Sequence, residues 1–128
     1  MNDDTKGSPP TRWLGIDHVQ VAMPPGGEVV AREFYGRVLG LCEVPKPPAL
    51  AVRGGCWFEA GAVRLHVGAE AGFTPARKAH PAFVVHDLAG FVDAAALSVE
   101  WSDEIPGVRR CHTHDPFGNR LELIDGPG

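Results

Sequence analysis

The chain has no apolar run approaching the roughly 20 residues needed to cross a bilayer, which argues against a transmembrane helix. It also lacks an excess of positive charge. Twelve Lys and Arg stand against 16 Asp and Glu, for a net charge of −4 at pH 7, so the electrostatic footprint of a nucleic-acid binder is missing. Cysteine is scarce. Cys42, Cys56 and Cys111 are odd in number, lie far apart, and show neither a disulfide framework nor ligand spacing of their own. That usage points to a reducing, cytoplasmic setting. The opening residues, with Asp3, Asp4, Lys6 and two prolines, have no signal-peptide core and read as a flexible tail over residues 1–12.

What is present fits one compact domain. The chain has 128 residues, 44% of them apolar and 22% charged, a globular composition. Sixteen glycines and 12 prolines imply short elements joined by turns rather than a bundle of long helices. Period-two alternation predicts strands over Leu14–Ala22, Ala62–Val67, His80–Val85 and Arg120–Ile124. Shorter strands are expected at Leu41–Val44, Gly55–Glu59, Val99–Ser102 and Arg109–His114. One helix is expected over Glu28–Leu39, with Val30, Phe34 and Val38 on one stripe. A second follows Asp87 as N-cap, with Leu88, Phe91, Val92 and Ala95 as its apolar face. Val44–Leu50, with three prolines, reads as a loop, and Asp115–Asn119 as a tight turn.

The element order is therefore strand, helix, three strands, and then the same again. Arg64-Leu65-His66-Val67 superimposes on Arg120-Leu121-Glu122-Leu123, and His18 on His80; Cys56 and Cys111 fall at similar places. Strand parity sorts the side chains by face. Val19 and Val21, Val63, Leu65 and Val67, Phe83 and Val85, and Leu121 and Leu123 share the face that packs beneath the helices. His18, Gln20, Arg64, His66, His80, Arg120 and Glu122 share the other. A polar sheet face is usually just the wet side. Here, though, one His or Glu recurs per strand among small or apolar neighbours, and imidazole with carboxylate is a donor set that suits a divalent transition metal.

These residues carry a resemblance. The sequence resembles the vicinal oxygen chelate superfamily, which includes glyoxalase I, methylmalonyl-CoA epimerase, extradiol dioxygenases, fosfomycin-resistance thiol transferases and bleomycin-resistance proteins. The likeness runs from about Leu14 to Asp125. It includes Ile16-Asp17-His18-Val19, Phe34-Tyr35-Gly36-Arg37-Val38-Leu39-Gly40-Leu41, and the turn Asp115–Asn119 leading into Leu121-Glu122-Leu123. The resemblance implies an α+β fold of two βαβββ modules whose curved mixed sheets form a cup with the helices outside. The expected division is a single domain over 13–128, with module one at 13–68, a linker at 69–79 and module two at 80–126. It also implies metal ligands at His18, His66, His80 and Glu122, holding a divalent transition metal such as Ni, Zn, Fe, Mn or Co. A triad of His18, His80 and Glu122 would suit the iron(II) of the dioxygenases. Homodimers, with modules pairing across chains, are implied as well.

The implied chemistry is metal-dependent and glyoxalase-like, a lyase, isomerase or dioxygenase acting on a small oxygenated or carbonyl compound. A cation stabilises the developing oxyanion, and Glu122 is the candidate general base. Arg64 and Arg120 are candidate clamps for a substrate carboxylate. Trp57 is a candidate wall of the cup, and His112 a candidate proton donor lining it. His112 with His114 lacks the further ligands of a separate metal site. The competing expectation is a bleomycin-resistance-type protein that sequesters a small molecule without metal or turnover.

Overall fold

The computed structural model describes residues 10–127; the tail expected over 1–12 falls largely outside them. The elements follow the expected order twice. Module one comprises β1 (Val19–Met23), α1 (Glu28–Ala31) running into a π-helical segment (Arg32–Val38), β2 (Cys42–Val44), α2 (Pro48–Ala51), β3 (Cys56–Ala60) and β4 (Val63–Ala69). Module two comprises β5 (Ala82–His86), α3 (Leu88–Ala95), β6 (Glu100–Ser102), β7 (Arg110–His114) and β8 (Arg120–Gly126). Each module folds its strands into one four-stranded mixed sheet. The orders are β1-β4-β3-β2 and β5-β8-β7-β6, so the repeat in sequence is a repeat in topology. In both sheets the first and last strands are parallel and the remaining pairs antiparallel.

Parity decides what is buried. Met23, Cys56, Phe58, Leu65 and Val67 on one face of the first sheet pack with Ala31, Phe34 and Tyr35, and Leu121 of β8 joins this core from module two. Leu88, Val92, Cys111 and Leu123 form a second core, with Phe83 packed against both. The polar residues of each sheet are thereby left on the face away from the helices.

Three expectations are corrected. The first helix does not keep a Val30-Phe34-Val38 stripe. It widens into π-helical pairing, with Leu39 N–H donating to Phe34 C=O at 2.8 Å, and this buries the consecutive residues Phe34 and Tyr35 while Val30 stays 45% exposed. The prolines of 44–50 do not exclude helix: Pro48 starts a single helical turn at Pro48–Ala51, where its missing N–H has no intrahelical role. The first strand begins at Val19, not Leu14. Val19 pairs with Leu65, so residues 14–16 would lie opposite the turn that precedes β4, where there is no strand to pair with. Trp13, Leu14 and Ile16 are consequently 87%, 99% and 82% exposed. Asp87 caps α3 as expected, accepting from Gly90 N–H.

Candidate functional site

The polar face of the second sheet carries a convergent group. Glu122 lies between Leu121 and Leu123, whose side chains point into the cores, so its carboxylate points the other way. It is cross-strand partner of His112 on β7 and of Ala82 on β5. The small Ala82 side chain leaves room above the carboxylate. His80, just ahead of β5, reaches over with Nε2 at 3.0 Å from Glu122 Oε1. His112 Nε2 lies 3.7 Å from the same oxygen, and its ring meets that of His80 edge-on. Among the described residues, this is the group of three or more potential ligands whose donor atoms all lie within 4.8 Å of one another. Two donors each about 2.1 Å from a tetrahedral ion stand roughly 3.4 Å apart, a spacing bracketed by the two distances to Oε1.

Hydrogen bonding defines the donor atoms. His80 Nδ1 is 2.8 Å from the Lys78 carbonyl, which can only accept, so Nδ1 carries the hydrogen. That is how metal-ligating histidines are commonly fixed. In the neutral ring, the Nε2 lone pair then faces a carboxylate oxygen. Two acceptors at 3.0 Å are held together by a cation between them, whether a metal ion or a proton on Nε2. Burial tends to raise the pKa of Glu122, but hydrogen bonds from Arg110 and His80 outweigh it and hold the carboxyl below its usual range. Burial, with help from the Arg120 guanidinium, depresses the pKa of His112 and keeps its imidazole neutral. An anionic carboxylate and the neutral imidazole of His112 are protonation states that suit a metal.

Module one presents the equivalent positions with different chemistry. The row Gln20–His66–Trp57 across β1, β4 and β3 matches Ala82–Glu122–His112 across β5, β8 and β7. His66 is stacked between His18 at 3.9 Å and Trp57 at 4.1 Å. Burial and then His18 depress its pKa. His18 Nδ1 pairs with Asp17, which also accepts from Arg64 at 3.2 Å. These residues line a cavity of ≈ 510 Å³ with Lys46 and Arg53.

The sequence-derived candidates are thus divided. His80 and Glu122 come together with His112, which the sequence suggested only as a proton donor. His18 and His66 touch each other and Trp57, and neither belongs to a three-ligand group among the described residues. Arg120 Nη1 lies 3.4 Å from the Lys78 carbonyl, beside His80. Arg64 is engaged by Asp17 and, at 4.0 Å, Glu59. Sequence reading missed Arg110, whose Nη1 donates to Glu122 Oε2 at 3.0 Å. The hairpin register set by the Asp115–Asn119 turn places His112 opposite Glu122, with Arg110 two residues away on the same face; that register was the available signal.

No family model matches the chain, and no curated protein matches it. Solved structures do. A glyoxalase family protein from Bacillus anthracis is 44% identical, with a TM-score of 0.87 over 92% of this chain and 99% of that one. A lactoylglutathione lyase from Agrobacterium tumefaciens shares the fold at 18% identity, with a TM-score of 0.64 over 91% of this chain and 96% of that one. A point mutant of the fosfomycin resistance protein FosX from Listeria monocytogenes, complexed with Mn(II) and 1S,2S-dihydroxypropylphosphonic acid, shares it at 14% identity, with a TM-score of 0.66 over 88% of this chain and 92% of that one. Among the described residues, no helix is long and apolar enough to cross a membrane. The chain belongs to the glyoxalase family of the vicinal oxygen chelate superfamily.

Proposed function

We propose that the chain is a metal-dependent, glyoxalase-type enzyme that acts on a small oxygenated or carbonyl compound. The proposed ligands of a divalent transition metal are His80 Nε2, His112 Nε2 and Glu122 Oε1. The observation that carries this reading is the 3.0 Å approach of His80 Nε2 to Glu122 Oε1 with Nδ1 committed to the Lys78 carbonyl. Two imidazoles and one carboxylate form a donor set that suits transition metals and leaves coordination positions open. The Mn(II) complex of FosX lends the reading support by analogy of fold alone.

When bound, the ion would supply Lewis acidity toward a substrate oxygen. The chain's own residues do the rest. Glu122 is also the proposed general base; because Oε2 is held by Arg110, the proton would go to Oε1 only when that oxygen is not engaged by an ion. Arg120, beside His80, is placed to meet an anionic group of the substrate, and Arg64 to do so on the other module. The stacked rings of His18, His66 and Trp57 offer a flat wall to a substrate in the cavity they line.

A homodimer is part of the proposal. Trp13, Leu14 and Ile16 form an exposed apolar strap immediately before His18, a surface that a second copy would cover. Such pairing offers a route by which His18 and His66 of one protomer approach the site of its partner and line it.

The test is removal of metal with a chelator, followed by reconstitution with Ni, Mn, Fe, Co or Zn, assayed on carbonyl, epoxide and catechol substrates. One ion per chain and turnover that follows the ion are expected. Protein that takes up no ion, yet binds a small molecule without turnover, would instead be a sequestering protein.

A further inference from the structure

Arg110 stands between the proposed ligand carboxylate and a loop. Its side chain is 12% exposed. Nη1 donates to Glu122 Oε2 at 3.0 Å, and Nη2 donates to Glu104 Oε1 at 3.3 Å. Nε is buried with no hydrogen-bond partner. Glu104 lies between β6 and β7 and is itself tethered, its backbone N–H donating to Ser102 Oγ at 3.3 Å. A guanidinium is a rigid, planar fork, so gripping one oxygen of Glu122 fixes the orientation of the whole carboxylate. The other oxygen, Oε1, is the one directed at His80 and His112.

We propose that Arg110 is a positioning residue that makes Glu122 a one-oxygen ligand, with Glu104 bracing the guanidinium from its far side. This rests on the metal reading above. A carboxylate free to turn can offer both oxygens to an ion and fill a coordination position that a substrate oxygen would otherwise take. Arg110 keeps that position open by occupying Oε2. The arrangement joins the segment between β6 and β7 to the site, since Glu104 reaches Glu122 only through Arg110.

The probe is Co(II), added to the metal-free full chain and followed by visible absorption, whose intensity falls as coordination number rises. Arg110→Met keeps the long apolar stem and releases Oε2. Its Co(II) band is expected to be severalfold weaker than that of the parent at equal stoichiometry. Arg110→Lys, which can still donate to Oε2, is expected to keep the parent spectrum. If the Met variant does not fold, Arg110→Gln, too short to span both carboxylates, is read the same way. A released variant with the parent spectrum overturns the positioning role while leaving the metal site standing. A parent that binds no Co(II), or a Glu122→Gln variant that binds it unchanged, overturns the metal reading and this proposal with it.

Discussion

Tyr35, in the π-helical segment of module one, donates its phenolic hydrogen to Asp115 Oδ2 of module two at 2.6 Å, a bond that closes 80 residues of sequence. Asp115 also accepts from the backbone N–H groups of Phe117 and Asn119, while the Asn119 amide donates to Asp115 and to the Ala22 carbonyl at the end of β1. The turn that aims β8, and hence Glu122, is anchored to the first module by this buried network. Burial and the adjacent carboxylate hold the Tyr35 hydroxyl far above its ordinary pKa, so it remains a donor.

Removing one donor from a satisfied buried network leaves its acceptor partly unpaired. Tyr35→Phe is expected to cost about 1–2 kcal/mol of unfolding free energy. Asp115→Ala, which strands several donors at once, is expected to cost ~3 kcal/mol or more. Urea unfolding followed by circular dichroism measures both, and equal, near-zero costs would contradict the anchoring role.

Gly55 has φ +90°, and a Cβ there would meet the Val67 carbonyl. Its N–H donates to Glu28 Oε2 at 2.8 Å, tying β3 to the start of α1. Gly55→Ala combines backbone strain with a clash and is expected to destabilise by about 2–3 kcal/mol. The same unfolding experiment checks it.

Stability should depend on the stacked imidazole of His66. Its pKa in the fold lies below the ordinary 6.5 because of burial and then His18, so the unfolded chain holds the proton more tightly. Stability from this group is then full above about pH 6.5 and declines as pH falls through the lowered value. His66→Phe keeps a ring in the stack without the titration. Its melting temperature is expected to fall less steeply below about pH 6.5 than the parent's, with His112, also depressed, accounting for a residual slope. Parallel profiles for the two proteins would contradict this.

Much of the architecture was legible because alternation of residues such as Val63, Leu65 and Val67 locates a strand and its buried face together. The repeat of His18 in His80 and of His66 in Glu122 revealed two modules. The first strand was overextended: its apolar positions change phase between Leu14/Ile16 and Val19/Val21, and pairing starts only at Val19. Helical periodicity assumes about 3.6 residues per turn, so it misplaces the buried face once Arg32–Val38 widens, and Tyr35 was missed for that reason.

The site was half legible. His80 and Glu122 stand out through the repeat, yet the same repeat conceals His112, whose equivalent in module one is Trp57. A ligand in one half that is an indole in the other leaves no duplicated signal. Arg110 was hidden because its role depends on side-chain reach across the hairpin, which parity narrows but does not decide.

On the proposed reading, His80, His112 and Glu122 hold a divalent ion. Calorimetric titration of metal-free protein with Co(II), Ni(II) or Zn(II) tests it directly, with His80→Ala, His112→Ala and Glu122→Gln set beside His18→Ala and His66→Ala. One ion per chain is expected, with affinity weakened about tenfold or more by each of the first three substitutions. Undiminished binding by His112→Ala, or no heat of binding in the parent, would contradict it.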